Sequence, residues 1–391
     1  MASCSVEVDP GAGQDVEPGT EVDEDYVDFG FDLPAIVIDT PESVPVTSKT
    51  EWIEGAQATM YVPGGKVVHL GGLKIKGRGN NTWRRDKKPY AVKFDSDVEP
   101  LGMASDRRWD LLANWLDVTK LRNCVTFSLA RCCQGLDWVP SSAFVELILN
   151  GTHLGNYQLT EHVKIDKNRV ALPKGGYIVE FDSYYDAVYK FKTKIKSLPV
   201  NLKDPDNDIS DAFLKTVRDD INAVEEAICN GGDWLSLIDL DSFVDFYLVN
   251  EICGSRELRH PKSAYFHKAP GGPLVAGPVW DFDYGTYRKD RVSGWYSDIA
   301  LWYPELLKKP EFVSCLKDHW NRYRNDFYLV ADNIYKVADQ IGNSCERDLS
   351  FWPVTADTNL DNQLCYIEAV LLMESVLRGR LKWLDSAINA L

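Results

Sequence analysis

Basic residues are missing from the first 48 positions, long apolar runs are missing throughout, and cysteine is scarce for a chain of 391 residues. Each absence excludes something. Without a run of about 18 uncharged apolar residues, no segment reads as a membrane-spanning helix. Nine cysteines are too few for a disulfide-built scaffold at this length, and an odd number forbids complete internal pairing. Cys124, Cys132, Cys229, Cys253 and Cys365 sit among apolar residues and read as buried thiols. No Cys/His spacing suggests a zinc site. The opening "MASCSVEVDP" lacks the basic and apolar regions of a signal peptide. Cys4 has two readings: an incidental residue, or the lipid-bearing cysteine left by a trimmed lipoprotein signal. The second would anchor the protein to the cell envelope, outside the cytoplasm.

The formal charge of −16 is unevenly spread. The first 48 residues hold 12 of the 59 acids, which leaves 47 acids against 43 bases in the body. The acidity is therefore a property of the leading segment and says little about partners of the folded part. Rich in Gly, Pro, Glu and Asp up to about Asp28, that segment has too little apolar surface to offset ordering entropy. Residues 1–32 are accordingly expected to be an acidic, disordered linker.

What is present is a large aromatic and apolar content, 12 Trp, 18 Tyr and 15 Phe, ample for a sizeable core. "LPAIVIDT", "ATMYVP", "VVHLGGLKIKG", "PYAVKF" and "GGYIVEFD" read as strands, and "SAFVELILNGTHLGNYQLTEHV" as a hairpin turning at Asn150–Gly151. Between them "DVTKLRNCVTFSLARCC" has Leu121, Val125, Leu129 and Cys132 at helical spacing. Beyond Asp182 the pattern turns helical, beginning with an amphipathic helix capped by Ser210 or Asp211 and a more buried one in "LDSFVDFYLVNEIC". From Pro310 onward the chain reads as helix almost throughout. An α+β fold follows, with a β-rich lobe over 33–182, a mainly helical lobe over 183–391, and a cleft between them as the ligand site.

Three segments could carry chemistry. "LKIKGRGNNTWRRDKKPYAVKF" concentrates lysines and arginines around Gly77 and Gly79, residues that let backbone approach a ligand while Lys76 and Arg78 supply charge for a polyanion. Alternation in the following strand puts Ala91, Lys93 and Asp95 on one face, and a lysine there needs an anionic partner. A basic surface hairpin or a nucleic-acid contact would read similarly, although no second basic cluster of this size occurs. "GPVWDFDYG" delivers Asp281 and Asp283 to one face of an extended segment, where two carboxylates can hold Mg²⁺ or simply cap a turn. "NEICGSRELRHPKSAYFHK" leaves a buried helix through a loop holding Glu257, with Ser263 shortly after it. A carboxylate so placed could orient an attacking hydroxyl while the serine helps hold a metal, or it could be a solvated acid. The order of these parts is that of protein-kinase-like enzymes, yet GxGxxG, HRD and DFG are all absent.

Taken together, "KGRGNNTW" with "KKPYAVKF", "WDLLANWLDVTKLRN", "LILNGTHLGNYQLTEHVKIDKNRV", "GGYIVEFD", "SFVDFYLVNEI" and "GPVWDFD" resemble the spore-coat protein H (CotH) kinase family, from about Leu33 to the C-terminus. The resemblance implies an atypical two-lobed, protein-kinase-like fold that binds ATP with Mg²⁺ and phosphorylates Ser or Thr of a protein acceptor. It casts Lys93 as the nucleotide-phosphate lysine, with Lys76 and Arg78 beside it on the glycine loop of Gly77 and Gly79. Asp281 becomes the metal carboxylate with Asp283 close by, and Glu161 or Glu180 the partner of the lysine. Asp117, Arg122 and Asn123 match another family block and are read as an N-cap and a buried ion pair. One position departs from the pattern: Glu257 stands where the catalytic Asp is expected, in a loop one residue longer. Moving a carboxylate by about 1 Å can cost on the order of 100-fold in rate.

The expected activity is therefore Mg-ATP-dependent protein phosphorylation. The alternative is a weak or inactive pseudokinase serving as a surface-displayed binding module. The expected partners are a nucleotide and a protein acceptor, with no nucleic acid and with membrane contact only through a lipid on Cys4.

Overall fold

A computed structural model describes residues 22–391 of the chain; Cys4 and most of the acidic segment lie outside the described residues. Strands form where apolar residues run together or alternate with polar ones: β1 (Ala35–Asp39), β2 (Ile53–Val62), β3 (Lys66–Gly77), β4 (Tyr90–Val98) and β5 (Asp106–Leu112). The expected hairpin supplies β6 (Ser142–Leu149) and β7 (Thr152–Glu161), joined through Asn150 and Gly151, both in the left-handed region at φ 50° and 74°. These seven strands close into a barrel in the order β1-β2-β3-β4-β5-β7-β6. Closure is made by β1 running parallel to β6, Ala35 opposite Glu146. Inside lie Ile36, Ala58, Met60, Ile75, Val92, Phe94, Trp109, Leu147 and Leu159, all buried.

The second unit is a five-stranded sheet in the order β12-β11-β8-β10-β9, built from β8 (Tyr177–Phe181), β9 (Lys190–Lys192), β10 (Pro199–Asp204), β11 (Ala264–Lys268) and β12 (Leu274–Ala276). Its central strand β8 is buried on both faces. Around it pack α1 (Arg122–Arg131), α2 (Asp211–Asn230), α3 (Leu240–Ile252), the short α4 (Tyr303–Leu306), α5 (Pro310–Phe351) and α6 (Tyr366–Asn389). Ser210 caps α2 by accepting from the Phe213 amide, as the sequence suggests. One core joins Val179, Phe181, Phe243, Phe266 and Trp302 to Trp320 and Leu377 on the long helices.

The fold is thus α+β, but a closed barrel beside a sheet-and-helix body rather than two kinase-like lobes. The expected division at Asp182 cuts through the second sheet, because β8 precedes it and its partners β10 and β11 follow it. Part of the expected disordered linker is also in place. The Asp23 amide donates to the Gly65 carbonyl at 2.9 Å, and its carboxylate accepts from the Val67 amide at 2.7 Å. Phe29 stacks on Phe31 and meets Tyr61 edge-on, so three aromatics supply apolar contact that the charge count conceals. Of the cysteines read as buried, Cys365 is exposed and Cys229 half-buried.

Barrel and helices are locked together by Asp348 of α5. Its carboxylate meets Lys87 Nζ at 2.6 Å and Lys120 Nζ at 3.0 Å, and accepts from the Asn156 amide at 3.0 Å, with all three ionic side chains fully buried.

Candidate active site

A cavity of about 530 Å³ opens between the end of β3 with its following loop, strands β8, β10 and β11, and the loops carrying Glu257 and Asp281. The basic segment after β3 does not present all its charge here. Lys74 pairs with Glu54 at 3.1 Å, Lys87 with Asp348, Lys88 donates to the Trp83 carbonyl at 2.9 Å, and Arg85 lies over the Trp115 ring at 5.1 Å. Lys76 and Arg78 are the members of this cluster that line the cavity. Burial and nearby Arg108 hold the Lys76 ammonium below its usual range. Arg78 Nε lies 3.2 Å from Asp110, and its guanidinium stands 5.5 Å from the Trp280 ring.

Both glycines line the cavity, yet local packing already accounts for them. A Cβ on Gly77 would sit 2.2 Å from the Trp83 ring. Gly79 has φ +77°, and a Cβ there would meet Thr82 Oγ1 at 2.3 Å.

The opposite wall is acidic. Ser263 Oγ donates to Asp281 Oδ2 at 3.1 Å, with both residues in the left-handed region, φ 50° and 68°. Such backbone is uncommon for these residues and clusters at functional sites. Asp283 is buried, and burial together with Asp281 drives its carboxyl well above the usual range. Burial and Asp281 also push Glu257 up, to about 8, and burial with Glu180 lifts Asp182 to about 7. Like charges crowded into a partly dry site produce these shifts, and a cation bound there would reverse them.

The loop holding these acids is pinned by amides from the "WDLLANWLDVTKLRN" block. Gln158 Oε1 accepts from Asn114 Nδ2 at 2.9 Å, Asn114 Oδ1 accepts from Asn123 Nδ2 at 3.0 Å, and Asn123 Oδ1 accepts from the Phe282 amide at 2.7 Å. Asn359 holds the other side, accepting from the Gly285 amide at 2.7 Å and donating to the Asp283 carbonyl at 2.9 Å. Arg122 is buried between Asp117 and Asp361, 2.7 Å from the latter, which is the ion pair expected of that block.

A protein-family model described as CotH kinase protein matches residues 75–384. The chain belongs to the CotH kinase family. A search of curated proteins gave no match. The family segment starts in β3 at Ile75 and ends in α6 at Leu384, so it holds nearly the whole cavity wall and leaves out β1 and β2.

Within this CotH kinase chain, Lys76, Gly77, Arg78, Gly79, Glu180, Glu257, Ser263, Asp281 and Asp283 converge on the one cavity, while two of the sequence-predicted residues do not. Lys93 is exposed on the outer face of β4, opposite Lys74 and Arg108 on the neighbouring strands. Its alternation is as expected, with Tyr90, Val92 and Phe94 inside the barrel, but Lys93 sits two residues further along the same outer face than Ala91, which lines the cavity where Lys93 does not. Glu161 is also elsewhere: it pairs with Arg169 at 2.9 Å and accepts from the Ser141 amide at 2.8 Å. Glu180 does face the cavity, but its lysine is Lys203, 3.2 Å away. Lys203 and Lys262 are cavity residues that the sequence reading passed over, as are Asp110 and His162, hydrogen-bonded at 2.8 Å. "VNLKDPD" carried a visible clue to Lys203, a lysine on a strand between apolar and acidic residues.

Proposed function

We propose that this cavity binds a nucleoside triphosphate with Mg²⁺ and that the chain is an atypical protein kinase, transferring the γ-phosphate to a Ser or Thr hydroxyl of a protein. The observation that carries the reading is the convergence of Lys76 and Arg78 from one wall and Asp281 and Asp283 from the other on a single cavity. The donor set fits magnesium: carboxylate and hydroxyl oxygens from Asp281, Asp283 and Ser263, without sulfur or imidazole. These acids do not form a tight three-carboxylate cage among the described residues, in keeping with an ion that takes one or two protein carboxylates and completes its shell with phosphate and water. When bound, Mg²⁺ would neutralise charge on the phosphate oxygens.

The chain's own residues do the rest. Lys76 and Arg78 neutralise and orient the phosphates, in place of Lys93, and Asp110 fixes the direction of Arg78. The Glu180–Lys203 pair adds a further anchored cation. Glu257 orients the acceptor hydroxyl and takes its proton, a function for which an acid held near the working pH is suited. Transfer of radiolabelled phosphate from Mg-ATP to the protein or a Ser-rich acceptor tests the reading. Lys76→Ala and Asp281→Ala should each lower transfer at least about 100-fold, whereas Lys93→Ala should leave it within about twofold. Unchanged labelling in the first two overturns the assignment.

Glu257 itself favours a second reading, a pseudokinase that binds nucleotide without turnover, since the side chain is one methylene longer than Asp. Synergistic thermal stabilisation by ATP and Mg²⁺ without transfer, together with transfer appearing in Glu257→Asp, would select it.

A further inference from the structure

Cys315 and His319 stand four residues apart on α5, so both project from one face of that helix toward the first turn of α3. Asp241 meets them there. Its Oδ1 lies 3.3 Å from His319 Nε2 and 3.5 Å from Cys315 Sγ, and Sγ lies 3.5 Å from Nε2. Ligand atoms at about 2.0–2.3 Å from a tetrahedral zinc ion must be about 3.3–3.6 Å apart, and all three edges fall in that range.

The imidazole is oriented for coordination. Its Nδ1 is 2.7 Å from Asp245 Oδ1, and the other oxygen of Asp245 accepts from the Gly135 amide at 2.7 Å. A proton held on Nδ1 by this buried carboxylate orients the ring so that Nε2 faces Asp241 and Cys315, the arrangement that metal-binding histidines use. The open side of the trio is a depression of about 560 Å³, also lined by Ser314, Asp318 and Arg322, with room for a water as fourth ligand. A thiolate and an imidazole select a zinc-class ion over Mg²⁺ or Ca²⁺.

We propose that Asp241, Cys315 and His319 bind a zinc-class divalent metal ion, with one position open to solvent, and so tie the start of α3 to α5. On binding, the metal–sulfur and metal–nitrogen bonds form as the Cys315 thiol proton and the proton that the imidazolium form carries on His319 Nε2 pass to solvent, while Nδ1 keeps its proton in the hydrogen bond to Asp245. The third ligand comes from 74 positions away in the chain, so no Cys/His spacing in the sequence reveals the site. It is separate from the nucleotide cavity, whose Glu257 loop follows the far end of α3, a helix about 20 Å long.

Titration of metal-free full-length protein with Co²⁺ tests this directly. One equivalent should produce the near-ultraviolet thiolate-to-cobalt charge-transfer band and intense visible bands of a tetrahedral ion. Added Zn²⁺ should erase both, and Cys315→Ser should lack the charge-transfer band while Asp281→Asn retains it. No such band in the unsubstituted protein, or a band surviving in Cys315→Ser, would reduce the trio to a hydrogen-bonded cluster and overturn the proposal. Alkylation of Cys315 in the unsubstituted protein, followed by mass spectrometry, decides the matter without any variant. Zinc at ten times its dissociation constant should slow that modification about tenfold. Modification of Cys315 at an unchanged rate would overturn the proposal equally.

Discussion

Among the described residues, Asp348 is the acid that pairs with two buried lysines, Lys87 and Lys120. Burial lowers the Lys87 ammonium to about 8 even with Asp348 beside it, so the carboxylate is what keeps it charged at neutral pH. Asp348→Ala would strand both cations in the interior and should destabilise the fold by about 3–5 kcal/mol, read from denaturant unfolding. Wild-type stability in that variant would sink the account. Glu257 behaves in the opposite sense. Its folded-state value, about 8, lies above the ordinary 4.5, so the folded protein holds the proton more tightly and stability falls as pH rises from 4.5 to about 8. Glu257→Gln should therefore raise the melting temperature clearly at about pH 8 and hardly at all at about pH 5. An equal gain at both values would show that the strain at this position is not electrostatic.

At the scale of elements, α1 and the segment before it act as the frame for the acidic loop. The amide relay from Gln158 through Asn114 and Asn123 to the Phe282 backbone connects β7, the turn after β5, α1 and the Asp281 loop. Asn123 has no acid or base to contribute, yet it holds the backbone of Phe282, the residue next to Asp281. Asn123→Ala should cost about 1–3 kcal/mol of stability for the unpaired amide and, on the proposed kinase reading, lower phosphate transfer more than the fraction unfolded explains. A folded Asn123→Ala protein with unaltered transfer would show that the loop needs no such support. The element boundaries themselves were open to sequence reading because each has a local cause. Examples are the alternation along β4, the Asn150–Gly151 turn, the Ser210 cap of α2 and the apolar helix α3. What local cause could not show was strand partnership, and so β8 was counted with the barrel strands although it pairs with β10 and β11.

For the whole molecule, the residue types of the candidate site were legible and their convergence was not. Asp281, Asp283, Glu257 and the basic loop announce themselves by charge placed next to strand ends and glycines, and they do share one cavity. Lys93 has the same local signature as Lys76, a lysine on an outward-facing strand position. Only the position of each along the barrel wall separates them, Lys76 at the rim beside Arg78 and Lys93 two residues further down the sheet, opposite Lys74. Glu161 and Glu180 are similarly alike in sequence, both at strand ends, and are divided by the cation each strand happens to meet, Arg169 or Lys203.

Sequence alone therefore determined what depends on neighbours along the chain: the period of each strand and helix, the turns and caps, the family, and the chemical kinds of group available. Tertiary structure decided what depends on distance through space. It closed the barrel, chose Lys76 over Lys93 for the cavity, and brought Asp241 to Cys315 and His319. The physical reason is that backbone conformation responds to side chains a few residues away. Electrostatic and coordination chemistry depend instead on separations of a few ångströms between groups that the chain can place any number of residues apart.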